Sequence, residues 1–332
     1  YARALGLPRI YLAANSGARI GLAEDVRSCF RVAWEDPLDP TRGVKYLYLT
    51  PEDYRKLTTG GKPAVSAKRI VENSSERYVI TGIIGRGKDL GIENLRGSGT
   101  IAGETSRAYK DIFTLTFCTG FCVGIGAYLV RLGQRTIQKG NSAPILLTGY
   151  RPLNRLMGRD VYTDNLQLGG PKIMYHNGVS HSVVTDDLQG IREVIQWLAF
   201  VPRRRGDPLP CLLSGDIVDR DITVEPTLTP YDPRHLIAGR FDESTDSFLH
   251  GMFDRGSWVE ALGGWARTVV VGRARLGGIP MGIIISENRT VEAATPADPA
   301  MPDAQESIVK QAGQVWYPDS AHKTAQAIRD FA

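Results

Sequence analysis

IFTLTFCTGFCVGIGAYLV, residues 112–130, is the stretch whose reading decides the fold. It runs nineteen residues without a charge, between Asp111 and Arg131. That is close to the length a bilayer span needs. It also carries Thr114, Thr116 and Thr119, and the glycines Gly120, Gly124 and Gly126. β-branched and aromatic residues come first, then a glycine-rich break, then good helix formers. The order predicts a buried strand, a turn and the start of a helix, not a membrane span.

The same order recurs on either side. Arg9 to Ala13 reads as a strand, Asn15-Ser16-Gly17-Ala18 as a turn, and Leu22, Val26, Cys29/Phe30 and Ala33 recur at helical spacing. Glu24 and Asp25 fall in that helix's first turn, where its dipole favours anions. Downstream, Pro144 to Leu147 leads through Thr148-Gly149 into a helical Leu153, Leu156 and Met157. Such repetition predicts an α/β fold of stacked strand–turn–helix units. Between Val201 and Pro230 the texture changes to prolines, aspartates and the run Arg203-Arg204-Arg205. This reads as a surface excursion with a solvated arginine run. A second block begins near Phe248. Val269 to Val271 and Gly282 to Ile285 are strands around the turn Arg275 to Pro280, and Asp319 to Phe331 is a helix capped by Asp319 or Ser320. The helix runs to Ala332 without a stop signal, and the block has too few elements to close a core of its own. It reads as cut short.

Composition agrees with a folded enzyme-sized chain. At 332 residues, 42% apolar and 23% charged, it has the balance of a two-domain globular protein. Disorder, collagen and a disulfide scaffold are excluded. A net charge of +4 is too mild to argue for nucleic acid. Cys29, Cys118, Cys122 and Cys211 are scattered and read as reduced thiols. The histidines, His176, His181, His235, His250 and His322, make no metal-binding spacing, so no metal is expected. The start, Tyr1-Ala2-Arg3-Ala4-Leu5, is no signal peptide and lacks an initiator Met, so the chain reads as starting inside a longer product. Gly97, Gly99 and Gly103 are spaced one residue too long for a dinucleotide fingerprint, and no P-loop or nucleophile elbow is present.

What remains is backbone chemistry. Ser16 to Gly21 and Gly124 to Tyr128 each place small residues where a strand hands over to a helix. Amides at helix starts are unpaired and point outward. Two such turns, converging, make an oxyanion hole; tight packing is the other reading.

Several motifs carry a resemblance: ANSGARIGLAE (14–24), NLRGSG (94–99), VGIGAYLVRLGQR (123–135), GRDVYT (158–163), VGRARLGGIP (271–280), PADP (296–299) and AGQVW (312–316). In this order, nearly end to end, the chain resembles the carboxyltransferase region of eukaryotic multidomain acetyl-CoA carboxylase. The resemblance implies crotonase-like ββα spiral domains. Residues 1–245 are then the N-terminal, CoA-side domain, and 246–332 the truncated start of the C-terminal, biotin-side domain. It implies transfer of a carboxyl group from N-carboxybiotin to acetyl-CoA, giving malonyl-CoA for fatty acid synthesis. Biotin is the implied cofactor, carried outside this chain. The implied partners are the biotin carrier and biotin carboxylase domains and a second copy in a homodimer. The implied compartment is the cytoplasm, or a plastid. Gly17, Ala18, Gly126 and Ala127 become backbone donors to the thioester enolate, and Arg159 a contact to CoA.

Three departures stand out. Phe121 occupies a position where the family usually has arginine, Tyr150-Arg151-Pro152 replaces a smaller stretch, and the family's domains continue beyond both ends of the chain. The chain therefore reads as a fragment, inactive alone. Two other readings stay open: a carboxyltransferase for a larger acyl-CoA such as propionyl-CoA, and a non-catalytic CoA-binding module.

Overall fold

The computed structural model describes residues 1–15, 17, 23–85, 95–217 and 219–331, and the side chains of all of these but 95 and 96. The chain forms two compact units, Tyr1–Gly17 with Ala102–Ala332, and Ala18–Ile101.

The first unit is built on the uncharged stretch 112–130. Thr114–Val123 is a strand, Gly124 a turn and Ile125–Leu132 a helix. Among the described residues no helix is long and apolar enough to cross a membrane. The strand lies inside a parallel sheet, between Arg9–Asn15 on one side and Thr136–Lys139 then Ser182–Val184 on the other. Ile145–Leu146 joins its C-terminal end, opposite Cys122 and Val123. Strands buried on both faces read as near-continuous apolar runs, and Thr114 to Cys118, uncharged throughout, are all buried. The register with Arg9–Asn15 runs from Arg9↔Thr114 to Ala13↔Cys118, then jumps to Asn15↔Cys122. The extra residues form a bulge, a device that re-aims side chains next to a site. It leaves Phe121 half exposed.

The largest core cluster joins this sheet to the later block. Leu115, Phe117 and Ile137 pack with Val194 and Trp197 of helix Asp187–Leu198, with Val269 and Val271, and with Ala327 of helix Pro318–Phe331. Residues beyond 246 thus share a core with the parallel sheet. Val269–Leu276 and Ile279–Ser286 form the expected hairpin, with Val259–Ala261 as a third strand. The last helix starts at Pro318, earlier than either proposed cap. Ser320 still serves its start, because its hydroxyl accepts from the Tyr317 amide at 2.9 Å. Asp330, at the far end, pairs with buried Arg135 at 3.0 Å, and the two side chains are 7% and 6% exposed.

The described residues of 201–233 contain no strand and no α-helix, as expected of a surface excursion. Arg204 pairs with Asp207, and Arg205 donates to the Asp111 carbonyl.

The second unit differs from expectation. Of the helix expected over 22–33, the described residues form Glu24–Arg27 alone, and Arg31–Trp34 is a strand. Val44–Leu49, Val65–Glu72 and Ser75–Ile83 come next in an antiparallel sheet, whose order puts Ser75–Ile83 between the other two. Val26, Leu49, Leu57, Ala64 and Val65 make its core. Helix Pro51–Thr58 covers it, with Thr50 accepting from the Asp53 amide at its start. The whole is a mixed α/β architecture with both parallel and antiparallel sheets.

Candidate functional site

Gly17 meets the Gly124 turn at the C-terminal ends of the parallel strands, where α/β folds place their sites. Gly17 comes just after the strand Arg9–Asn15 and has φ +87°. A Cβ there stands 2.6 Å from the Val123 carbonyl oxygen and 3.5 Å from Gly124 Cα. Gly124 is itself left-handed, at φ 59° and ψ −121°. Only a residue without a side chain fits between two backbones this close. Gly126, one turn in, is equally confined: a Cβ falls 1.5 Å from Asn15 Oδ1. The Asn15 carboxamide thus lies flat against the first turn of helix Ile125–Leu132, its Nδ2 donating to the Tyr11 hydroxyl. Its Oδ1 is buried and, among the described residues, has no hydrogen-bond partner.

The structure brings Gly17 to the turn that precedes Gly126. Ala18 lies outside the described residues. Ala127 is in the same turn, but its amide already donates to the Gly124 carbonyl at 3.1 Å, and the Tyr128 amide reaches the same oxygen at 3.3 Å. The amides of Ile125 and Gly126 have no acceptor among the described residues, as the first amides of a helix do. Gly124 is held in turn by its own amide on the Leu146 carbonyl, 3.0 Å. Of the pair named from the sequence, Gly126 keeps an amide with no acceptor among the described residues, as does its neighbour Ile125, whereas the Ala127 amide is engaged.

Leu147 carries the chain from the same place into Gly149 and the helix Tyr150–Met157. Asn154 on that helix is 5% exposed and organises the turn at its C-terminal end. Its Oδ1 accepts from the Val161 and Tyr162 amides at 3.1 and 3.0 Å, and its Nδ2 donates to the Tyr162 carbonyl at 2.8 Å. The G-R-D-V-Y turn is therefore wrapped around one side chain. Arg159 emerges from it exposed and makes no ion pair with Asp160; its Nη2 donates to the Ala300 carbonyl at 3.1 Å. Tyr162 donates to Asp298 at 2.7 Å, which also accepts from the Ala300 amide. The Tyr162 hydroxyl is held above its usual pKa by that carboxylate, and the Asp298 carboxyl below its own by the Tyr162 hydroxyl. Two sequence motifs, GRDVYT and PADP, are thus one structural element.

Sequence reasoning missed Asn154, whose role rests on contacts a turn away, and Arg155, which lines the same open cavity as Arg159. No group of three or more metal-binding side chains occurs among the described residues. His181 is a core histidine. Its Nδ1 accepts from the Thr136 amide, and burial, then Arg135, pushes its pKa down to about 3.

Known proteins resemble this chain along its whole length. A model of the carboxyl transferase domain matches residues 1–332. The chain is 55% identical to an acetyl-CoA carboxylase of Schizosaccharomyces pombe over 331 residues, 99% of this chain and 14% of that protein. It is 55% identical to an acetyl-CoA carboxylase of Saccharomyces cerevisiae over 333 residues, 100% of this chain and 15% of that protein. A mitochondrial acetyl-CoA carboxylase of Saccharomyces cerevisiae is 52% identical, with the same shares covered. The chain thus spans 14–15% of the length of the curated relatives it matches.

Proposed function

We propose, from the premise that this chain belongs to the carboxyl transferase domain family, that it is the carboxyltransferase segment of an acetyl-CoA carboxylase. In this reading it transfers the carboxyl group of N-carboxybiotin to acetyl-CoA, giving malonyl-CoA. The observation that carries the proposal is the apposition of Gly17 with Val123 and Gly124, beside two amides that have no acceptor among the described residues.

The chemistry needs a home for negative charge. As the acetyl methyl loses a proton, the thioester oxygen becomes an enolate oxygen. The Ile125 and Gly126 amides are fixed donors for it, Gly17 supplies the facing edge, and the reading assigns Ala18 as a further donor. By analogy with protease oxyanion holes, one such donor is worth about 2.7–4 kcal/mol. The groups found at this turn are amides and the Asn15 carboxamide, which suit neutral ureido and thioester oxygens. When bound, biotin supplies the carboxyl group and then the base that takes the acetyl proton. Arg159, tethered at one nitrogen to Ala300, keeps the rest of its fork for CoA.

In the same reading the sheets belong to crotonase-like spirals, with residues 1–245 as the CoA side and 246–332 as the start of the biotin side. The biotin carrier and biotin carboxylase domains lie elsewhere in the protein, which acts as a homodimer, and the cytoplasm is the assigned compartment. The relatives' shared name is what favours acetyl-CoA over a larger acyl-CoA or a binding-only module. The test supplies the full-length protein with ATP, labelled bicarbonate and either acetyl-CoA or propionyl-CoA. Label in malonyl-CoA is expected; label only in the propionyl product, or in neither, overturns the reading.

A further inference from the structure

A separate cavity of about 460 Å³ opens at the opposite ends of the parallel strands from the glycine turns. Pro8, Phe113 and Arg135, each one residue ahead of a strand, line it together with the end of helix Pro318–Phe331. Its charges do not balance. Lys110 and five arginines line it against two carboxylates, Asp111 and Asp330. Both carboxylates are already engaged, Asp111 by Arg3 at 3.2 Å and Asp330 by Arg135 at 3.0 Å. Arg204 pairs with Asp207. Among the described residues Lys110, Arg205, Arg273 and Arg329 have no carboxylate within ion-pair distance.

Burial makes the imbalance costly. Arg135 and Arg273 meet on one residue, both donating to the Asp330 carbonyl oxygen, at 3.4 and 2.8 Å. Two like charges thus share a single carboxylate, and burial, then Arg135, pulls the Arg273 pKa down to about 10. Their planar faces are stacked on rings, Arg135 on Phe113 at 4.8 Å and Arg273 on Trp197 at 4.8 Å and Phe331 at 5.0 Å. Stacking fixes a guanidinium while its N–H edges stay open. Arg135 Nε is buried without a hydrogen-bond partner. Clamping the last helix onto the sheet needs only the Arg135–Asp330 pair, which leaves the further cations without an offset. Fixed forks without partners fit phosphate, which brings three acceptor oxygens and about 1.5–2 negative charges. The rest of the lining gives the ligand's other end: Phe200, Val201 and Pro202, with Leu209 and Met281 exposed. That wall suits an apolar group.

We propose that this cavity binds a phosphate monoester with an apolar body, its phosphate held by Arg273 together with Arg205 and Arg329. The site stands apart from the carboxyltransferase reading, since it uses no residue of the glycine turns or of the turn 158–163. Its occupant offsets the charge that Asp330 alone does not.

The test uses the full-length protein and follows hydrogen exchange of the peptides covering 109–115 and 326–331, which contribute to the lining. Phenyl phosphate is the probe, beside inorganic phosphate and, at matched ionic strength, sodium chloride. At about ten times its half-effect concentration, phenyl phosphate is expected to slow exchange about tenfold. Inorganic phosphate, without the apolar contact, should act only at higher concentration. The double variant Arg205→Gln/Arg329→Gln, at two exposed positions, should keep the unliganded exchange profile and raise the half-effect concentration about tenfold. Arg273→Lys should raise it as well, as a charge without the planar fork; should that variant not fold, the double variant decides. Protection of the wild type no greater than that given by sodium chloride overturns the site, and so does a double variant with the wild-type half-effect concentration. Inorganic phosphate acting at the same concentration as phenyl phosphate overturns the choice of an ester over the free ion.

Discussion

Replacing Gly17 by alanine is the sharpest perturbation of the turn. Two separate costs arise. The first is backbone conformation: φ is +87°, where a side chain costs about 1–2 kcal/mol. The second is contact: the new Cβ stands 2.6 Å from the Val123 carbonyl oxygen, a backbone atom that cannot swing aside. Overpacking of this kind costs about 1–3 kcal/mol. Gly256 separates the two, since it has φ +72° and a Cβ there meets nothing within 4 Å. Gly256→Ala should show the first cost alone, and Gly17→Ala both. Because a multidomain protein has no single unfolding free energy, hydrogen exchange of the peptide covering 114–132 is the fitting assay. If the turn relaxes by moving away from Gly124, the geometry of the oxyanion donors is lost with it. Then kcat/KM for carboxyl transfer falls about 10²–10³-fold. Gly17→Ala with the exchange profile of Gly256→Ala and a kcat/KM within about threefold of wild type would refute this reasoning.

Three other perturbations probe separate parts of the molecule. Asp330→Ala leaves Arg135 buried without its carboxylate, at a cost of about 3–5 kcal/mol; amides of helix Pro318–Phe331 should exchange about 10²–10⁴-fold faster. Asn154→Ala strands the Val161 and Tyr162 amides, each worth about 1–3 kcal/mol; KM for acetyl-CoA should rise more than kcat falls, because the turn that carries Arg159 loosens. His181 titrates near 3 when folded and 6.5 when unfolded. The unfolded chain therefore binds a proton that the folded one refuses between those values. Stability from this group is full above pH 6.5 and falls on acidification at up to about 1.4 kcal/mol per pH unit; urea titrations from pH 7 to 4 should show a shallower slope for His181→Gln than for wild type.

How much of the fold and the candidate site was legible depends on where each residue's partners lie. The central strand, the Gly124 turn and the helix after it could be read because β-branched residues, glycines and helix formers succeed one another within the segment itself. The hairpin Val269–Leu276 with Ile279–Ser286 was readable for the same reason, with Gly277-Gly278 marking its turn. The antiparallel sheet of the second unit was missed. Val26, Cys29 and Ala33 fit a helical period, yet the helix ends at Arg27 and Ala33 pairs with Tyr46 in a strand. A short helix running into a short strand mimics one longer helix over such a window. At the candidate site, glycine-rich turns were visible but not which amides stay free. That depends on Gly124 accepting two amides at once, which engages the Ala127 amide and leaves those of Ile125 and Gly126 without an acceptor among the described residues. Asn154 gave no local signal, because its partners are seven and eight residues on, beyond the end of its own helix.

The central claim is that the Gly17 and Gly124–Gly126 turns stabilise the enolate of a CoA thioester during carboxyl exchange with biotin. Its most direct test is the reverse half-reaction: malonyl-CoA decarboxylation by the full-length protein, monitored as acetyl-CoA formed with and without an added free biotin derivative. The account predicts acetyl-CoA formation that depends on the biotin derivative and collapses in Gly126→Ala, whose Cβ displaces Asn15 from the turn. Decarboxylation indifferent to biotin, or a Gly126→Ala variant as active as wild type, would contradict it.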